Sequence, residues 1–172
     1  MNQVEYFGRG PAENYLDRNA GSMVGLYKST AEELYFPYVR PQENGHHTDT
    51  RWVSLSTGKK GLLIQADNTI GFNALRNSIE DFDDEEATGL SRQWSNFTPE
   101  QVANHDEAAA KNVLRRQHHI NDITPRDFVE VCVDLKQQGV AGYDSWGSRP
   151  EPAYTLPANR EYNWGFTLIP LK

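Results

Sequence analysis

The stretch RWVSLSTGKKGLLIQADNTIGFNALR, residues 51–76, constrains the chain's fold more than any other. WVSLS alternates apolar and polar residues with period two, the repeat of a strand with one buried face. STGKKG carries the glycines expected of a hairpin turn. GLLIQAD then reads as a buried strand, and Asp67-Asn68 leads into TIGFNAL.

Further strands flank this pair. Val4 to Phe7 reads as a short strand broken by Gly8, Gly10 and Pro11, and PAENYLDRNAG reads as turn. Residues 22–36 are ambiguous: Ser29-Thr30-Ala31-Glu32-Glu33 resembles a helix-capping start, so a short helical turn is expected near residues 30–34. PYVRPQENG is interrupted twice by proline and reads as an edge or a loop. SIEDFDDEEATG reads as a solvated acidic loop, without the ligand spacing of a calcium loop. Residues 99–114 read as a helix, with Thr98 as N-cap, Pro99 at N1 and Arg115-Arg116 at its end. RDFVEVCVDLKQQG is the strongest strand, and EYNWGFTLIPL closes the chain as another. The expected fold is all-β, an antiparallel sandwich with one short helical excursion.

A length of 172 residues suits one domain, and aromatics at 11% point to an aromatic-rich core. The net charge is −7, and no basic run exceeds the pairs Lys59-Lys60 and Arg115-Arg116. A phosphate-backbone partner needs basic patches, so no nucleic acid partner is expected. No apolar run approaches the roughly 20 residues of a membrane-spanning helix, and no membrane partner is expected. MNQVEYFGRG has no apolar leader segment, and the chain is expected to begin within a strand. Cys132, the single cysteine, is expected to be a buried packing residue.

No phosphate loop, nucleophile elbow or H-E-x-x-H motif occurs. Within a strand, the pairs His46-His47 and His118-His119 would point to opposite faces, which suits no metal clamp; surface or loop packing is the expected role. The stretch GYDSWGSRP is different. Trp146 follows Asp144 and Ser145, between Gly142 and Gly147. Either the loop tucks the indole in as a plug, or it presents the ring to a sugar, whose C–H face stacks on an aromatic while short polar side chains bind hydroxyls.

Three motifs in order, YFGRGPAENYLDR, PYVRPQENGHHTDTRW and QQGVAGYDSWG followed by a strand, resemble the C-terminal domain of the large bacterial family-two β-galactosidases. The resemblance implies an antiparallel β-supersandwich similar to that of galactose mutarotases. Residues 1–172 would be the C-terminal part of that domain, with a helical insertion at roughly 85–115. It implies that the two catalytic glutamates of the retaining mechanism lie on another domain, so the isolated chain is expected to be inactive. No cofactor is implied on this chain; parent enzymes commonly use Mg and Na in other domains. Trp146 would stack on substrate at the active-site mouth.

The family's Gly-Gly-Asp-Asp-Ser-Trp run is Ala141-Gly142-Tyr143-Asp144-Ser145-Trp146 here, so Tyr143 replaces an acid and could add a second ring. Asp144 is expected to anchor the loop. Glu13, Asn14, Asp17 and Arg18 are expected to hold a buried polar turn, with Arg18 paired to a carboxylate. Glu43, Asn44 and Arg51 are expected to behave similarly, with Glu43 and Asn44 as alternative sugar contacts.

The expected partners are a β-galactoside, the rest of the parent chain, and further copies of the fragment through uncovered apolar surface. The expected compartment is the bacterial cytoplasm or periplasm. Two other functions compete: a stand-alone carbohydrate-binding module, and an aldose mutarotase-like epimerase using His46 or His47 with Glu43.

Overall fold

The computed structural model describes residues 1–38, 43–82, 123–144 and 146–172. The expected helix at 99–114, the insertion at 85–115 and Ser145 lie outside them. The chain divides into two compact units. The first comprises Met1–Phe36, Asn44–Arg76 and Arg126–Lys172; the second comprises Pro37–Glu43 and Asn77–Pro125.

The first unit is one antiparallel sheet. Its strands are β1 (Gln3–Gly10), β2 (Met23–Thr30), β3 (His47–Ser56), β4 (Gly61–Leu75), β5 (Glu130–Asp134) and β6 (Phe166–Leu171). The order is β2-β1-β3-β4, and the far side of β4 carries both β5 and β6. β6 pairs with Gly61–Ala66, and β5 with Gly71–Leu75. The all-β, antiparallel reading holds.

The expected hairpin joins β3 to β4. The Thr57 N–H donates to Lys60 O at 2.9 Å, and Gly58 takes a φ of 83°, which favours glycine. β1 runs past its expected end at Phe7. The glycines there make room rather than break the strand: a Cβ on Gly8 would lie 2.9 Å from Thr50 Cα, and one on Gly10 would meet the Tyr6 hydroxyl. The ambiguous segment resolves into β2 and one helical turn. Thr30 Oγ1 accepts from the Glu33 N–H at 3.2 Å, and Glu33 Oε2 accepts from the Thr30 N–H at 3.0 Å, the reciprocal capping box.

RDFVEVCVDL supplies a strand of only five residues, all half-buried, because β5 is an edge that pairs with β4 alone. Cys132 is therefore half-buried rather than fully buried. In the second unit, the Ser78 N–H donates to Asp81 Oδ2 at 3.0 Å across the short 3-10 turn Ile79–Asp81. Asp81 and Phe82 are buried there, so the acidic segment does not begin as a solvated loop.

One face of the sheet buries Val4, Tyr6, Val53, Leu55, Ile64 and Phe72. Tyr6 packs on Tyr27, His47 and Phe72 with ring centroids 5.3, 4.9 and 5.1 Å away. Both histidines of the first pair are core residues, against expectation. Gly71 explains His46: a Cβ at that position would lie 2.6 Å from His46 Nε2. The His46 ring stacks on Tyr15 at 5.6 Å. His47 is held by Gly45 O at 2.9 Å and Pro11 O at 3.3 Å.

Burial, and then the neighbouring His47, depress the His46 pKa to about 4. Burial also lowers that of His47. His46 is therefore neutral at pH 7, and the approach of its Nδ1 to Asp134 at 4.0 Å is not an ion pair there.

A buried polar turn fastens the loop after β1 to the start of β3. Asn14 is fully buried; its amide donates to Arg9 O and Ala12 O at 3.1 Å each. Its Oδ1 accepts from the Thr48 N–H at 2.9 Å and from the Thr48 hydroxyl. Glu13 accepts from the Gly45 N–H at 2.9 Å and pairs with Arg18 at 3.3 Å, as expected for Arg18. Desolvation raises the Glu13 pKa against the opposing pull of these bonds.

Asn14→Ala should lower unfolding free energy by about 2–4 kcal/mol, because it leaves a buried N–H and hydroxyl unpaired. Urea unfolding measures this, and a loss within 0.5 kcal/mol, the scatter of ordinary surface changes, would contradict the assigned role. Acid should also destabilise the fold. Unfolded histidine takes up a proton near pH 6.5, whereas folded His46 refuses it down to about pH 4, so stability falls as pH drops across that window. Glu13 works the other way just above its unfolded value, because its folded pKa is raised. Each buried ring contributes at most about 1.4 kcal/mol per pH unit, and His46→Gln should flatten the fall measured by urea midpoints from pH 7 to 4.

Candidate functional site

The candidate site is the loop between β5 and β6. The Gly139 N–H donates to Tyr154 O at 2.8 Å and closes its base. Within it the backbone turns repeatedly into the left-handed region, at Ala141 (φ 56°), Gly142 (φ 84°) and Gly147 (φ 86°). Nothing lies within 4 Å of a Cβ on Gly142 or Gly147, so these glycines serve the backbone angle rather than close packing. Ala141 stands where the family motif has glycine, and a non-glycine residue in this region costs about 1–2 kcal/mol.

Asp144 shapes the tip. Its Oδ1 accepts from the Trp146 N–H at 2.8 Å and from the Ser148 N–H at 3.3 Å, an Asx turn. The Ser148 hydroxyl accepts from the Tyr143 N–H at 3.1 Å. These bonds occupy Asp144 Oδ1 with the backbone, which is the anchoring geometry expected of Asp144. Asp17, from the loop after β1, braces the flank. Its Oδ1 accepts from the Val140 N–H at 3.0 Å and its Oδ2 from the Ala141 N–H at 2.8 Å.

The indole of Trp146 is 93% exposed, and Tyr143 beside it is 59% exposed. Burying a ring of that size would stabilise the fold by roughly 2–3 kcal/mol. The loop forgoes that gain: among the described residues, nothing covers the ring. A hydrogen-bonded loop with a bare indole and a neighbouring phenol can stack on a flat apolar surface.

The other sequence candidates sit elsewhere. Asn44 is buried at the turn before β3, where its Oδ1 accepts from the Phe36 N–H at 3.2 Å. Glu43 is exposed and belongs to the second unit. Arg51 lies over the Phe7 ring at 5.4 Å and donates to Asp49 O at 2.6 Å, outside the polar turn assigned to it. Both rings of His46-His47 are sealed in the core, away from any sugar at the surface.

Among the described residues, no three histidine, cysteine or acidic side chains converge as metal ligands. A recess of about 420 Å³ over β1, β2 and β3 is lined by Gln3, Glu5, Lys28, Glu33 and Ser54 among others, with no aromatic ring. Sequence reasoning placed Asp17 only in the polar turn and missed its bonds to the Trp146 loop. The pairing joins positions 123 and 124 residues apart, and no local pattern signals it.

The family model described as beta galactosidase small chain matches residues 1–168. A β-galactosidase of Priestia megaterium (strain DSM 319 / IMG 1521) is 34% identical over 172 residues, covering 99% of this chain and 14% of the relative. One from Streptococcus thermophilus is 29% identical over 170 residues, covering 98% of this chain and 14% of the relative. One from Arthrobacter sp. (strain B7) is 42% identical over 84 residues, or 45% of this chain. The chain thus spans about one seventh of the length of the first two relatives. A chain matched from residue 1 to residue 168 by that family model belongs to the β-galactosidase small-chain family.

Proposed function

We propose that this chain is a non-catalytic C-terminal portion of a retaining β-galactosidase. In this reading Trp146 stacks on the galactoside at the mouth of a site whose catalytic carboxylates lie on other domains. The observation that carries it is the bare indole of Trp146 on a loop hydrogen-bonded at its base, flank and tip. A pyranose has an apolar C–H face that suits an indole, and stacking needs no charge, which fits a chain of net charge −7. Tyr143, also exposed, offers a second ring to the aglycone. Asp144 supports the loop.

Retaining hydrolysis needs two carboxyl groups about 5 Å apart, one as acid/base and one as nucleophile. In the proposed arrangement both belong to the parent enzyme's barrel, and its Mg and Na sites to other domains. The rest of the parent chain completes the supersandwich. The apolar side chains Met23, Leu26, Leu168 and Leu171, exposed on β2 and β6, support such a covering partner. Without it they favour self-association.

Covering about 100 Å² of the indole is worth roughly 2.5 kcal/mol. In a complete β-galactosidase carrying this chain, Trp146→Ala should therefore raise KM for lactose about tenfold to a hundredfold. Steady-state kinetics tests this, and an unchanged KM would remove Trp146 from the substrate. The chain alone should release no galactose, and hydrolysis by the purified chain would place catalytic groups on it after all.

A further inference from the structure

We infer that Asp17 is the positioning residue of the Trp146 loop, aiming an indole whose shape-holding bonds lie within the loop itself. Its functional consequence rests on the reading of Trp146 as a substrate contact. Asp17 is tied to the sheet from its own side. Three residues earlier, the Asn14 N–H donates to His46 O at 2.7 Å. One residue later, the Arg18 N–H donates to Tyr15 O at 2.8 Å and closes a turn around Asp17. The carboxylate therefore projects from a segment anchored on β3.

Both of its oxygens are used on consecutive amides, Oδ1 on Val140 and Oδ2 on Ala141. Two successive N–H groups converge on one anion only when the backbone curls into a nest, and Ala141 makes that curl at a φ of 56°. Gly139 gives the carboxylate room, since a Cβ there would lie 2.6 Å from Asp17 Cγ. The bonds of Asp144 and Ser148 close within residues 143–148 and fix only the shape of the tip. Its direction is set where the chain enters at Val140 and Ala141, and there Asp17 holds it.

The test compares Asp17→Asn, Gly139→Ala and Trp146→Ala, with the Asp17→Asn/Trp146→Ala pair, in a complete β-galactosidase carrying this chain. Asp17→Asn keeps the shape but turns an amide donor toward one of the two N–H groups. Gly139→Ala pushes the carboxylate away from the loop side, so the test survives if Asp17→Asn folds poorly.

Each single variant at the clamp should raise KM for lactose about tenfold, leave kcat nearly unchanged, and speed hydrogen exchange in residues 139–147. In the Trp146→Ala background, Asp17→Asn should add less than about twofold, because its effect passes through the ring.

If Trp146→Ala raises KM while the clamp variants do not, the inference is overturned and the Trp146 reading stands. An Asp17→Asn effect that multiplies fully with Trp146→Ala overturns it as well. If Trp146→Ala leaves KM alone, the substrate-contact reading falls. Exchange in residues 139–147 then decides for the clamp if faster in Asp17→Asn, and against it if unchanged.

Discussion

The buried amide of Asn14 is the interaction on which most of the rest depends. Four hydrogen bonds, two donated and two accepted, join the loop after β1 to itself and to Thr48 on β3. A buried amide so satisfied specifies one arrangement, because any slip leaves polar groups unpaired in a medium that penalises them. Glu13 reinforces the join by accepting from the Gly45 N–H, and its burial is tolerated because Arg18, Tyr15 and that N–H surround it. Glu13 and Asn14 thus bind the backbone that follows Asn44, at Gly45, His46 and Thr48.

This join governs the site through a short path. Asn14 holds the segment, Tyr15 and Arg18 close a turn, and Asp17 reaches from that turn to the loop of Trp146. The last link is a carboxylate bonded to two backbone N–H groups, so it fixes the path of the loop's backbone where the chain enters at Val140 and Ala141. A loop that must expose an indole gains nothing from burying it, so polar bonds have to supply its order. Asp144, Ser148 and Asp17 supply them, each through a carboxylate or hydroxyl facing backbone N–H groups.

Much of the sheet was legible from local pattern. The β3–β4 hairpin announced itself through alternation and turn glycines, and the capping box of Thr30 and Glu33 through residue type at the right spacing. What was not legible depended on neighbours distant in sequence. Gly8 and Gly10 look like breakers until Thr50, Tyr6 and Tyr27 are seen filling the space they leave. His46 and His47 look like surface residues until Gly71 and the Tyr6–Phe72 cluster are in place. RDFVEVCVDL looks like the strongest strand because its composition is apolar and β-branched, but the sheet uses only five of its residues, as an edge. At the site, the loop's residues left open whether Trp146 is tucked in or exposed, and only the resemblance to the β-galactosidases pointed to it as a contact; the Asx turn of Asp144 follows from an aspartate two residues before the N–H that it accepts from. Asp17 was not legible, since a carboxylate that binds backbone leaves no pattern in its partner's sequence.

The magnitude of stacking bears on the role proposed for Trp146. A contribution of about 2.5 kcal/mol corresponds, by itself, to dissociation constants of tens of millimolar. That is too weak to hold a sugar against water, yet it is ample to improve a site that already binds one. A loop backbone already ordered by hydrogen bonds would avoid part of the ordering cost that a mobile loop carries on binding. On the proposed reading, the braced loop and the bare ring would work together: a surface too weak to act alone, held in place so that it adds to a neighbouring site.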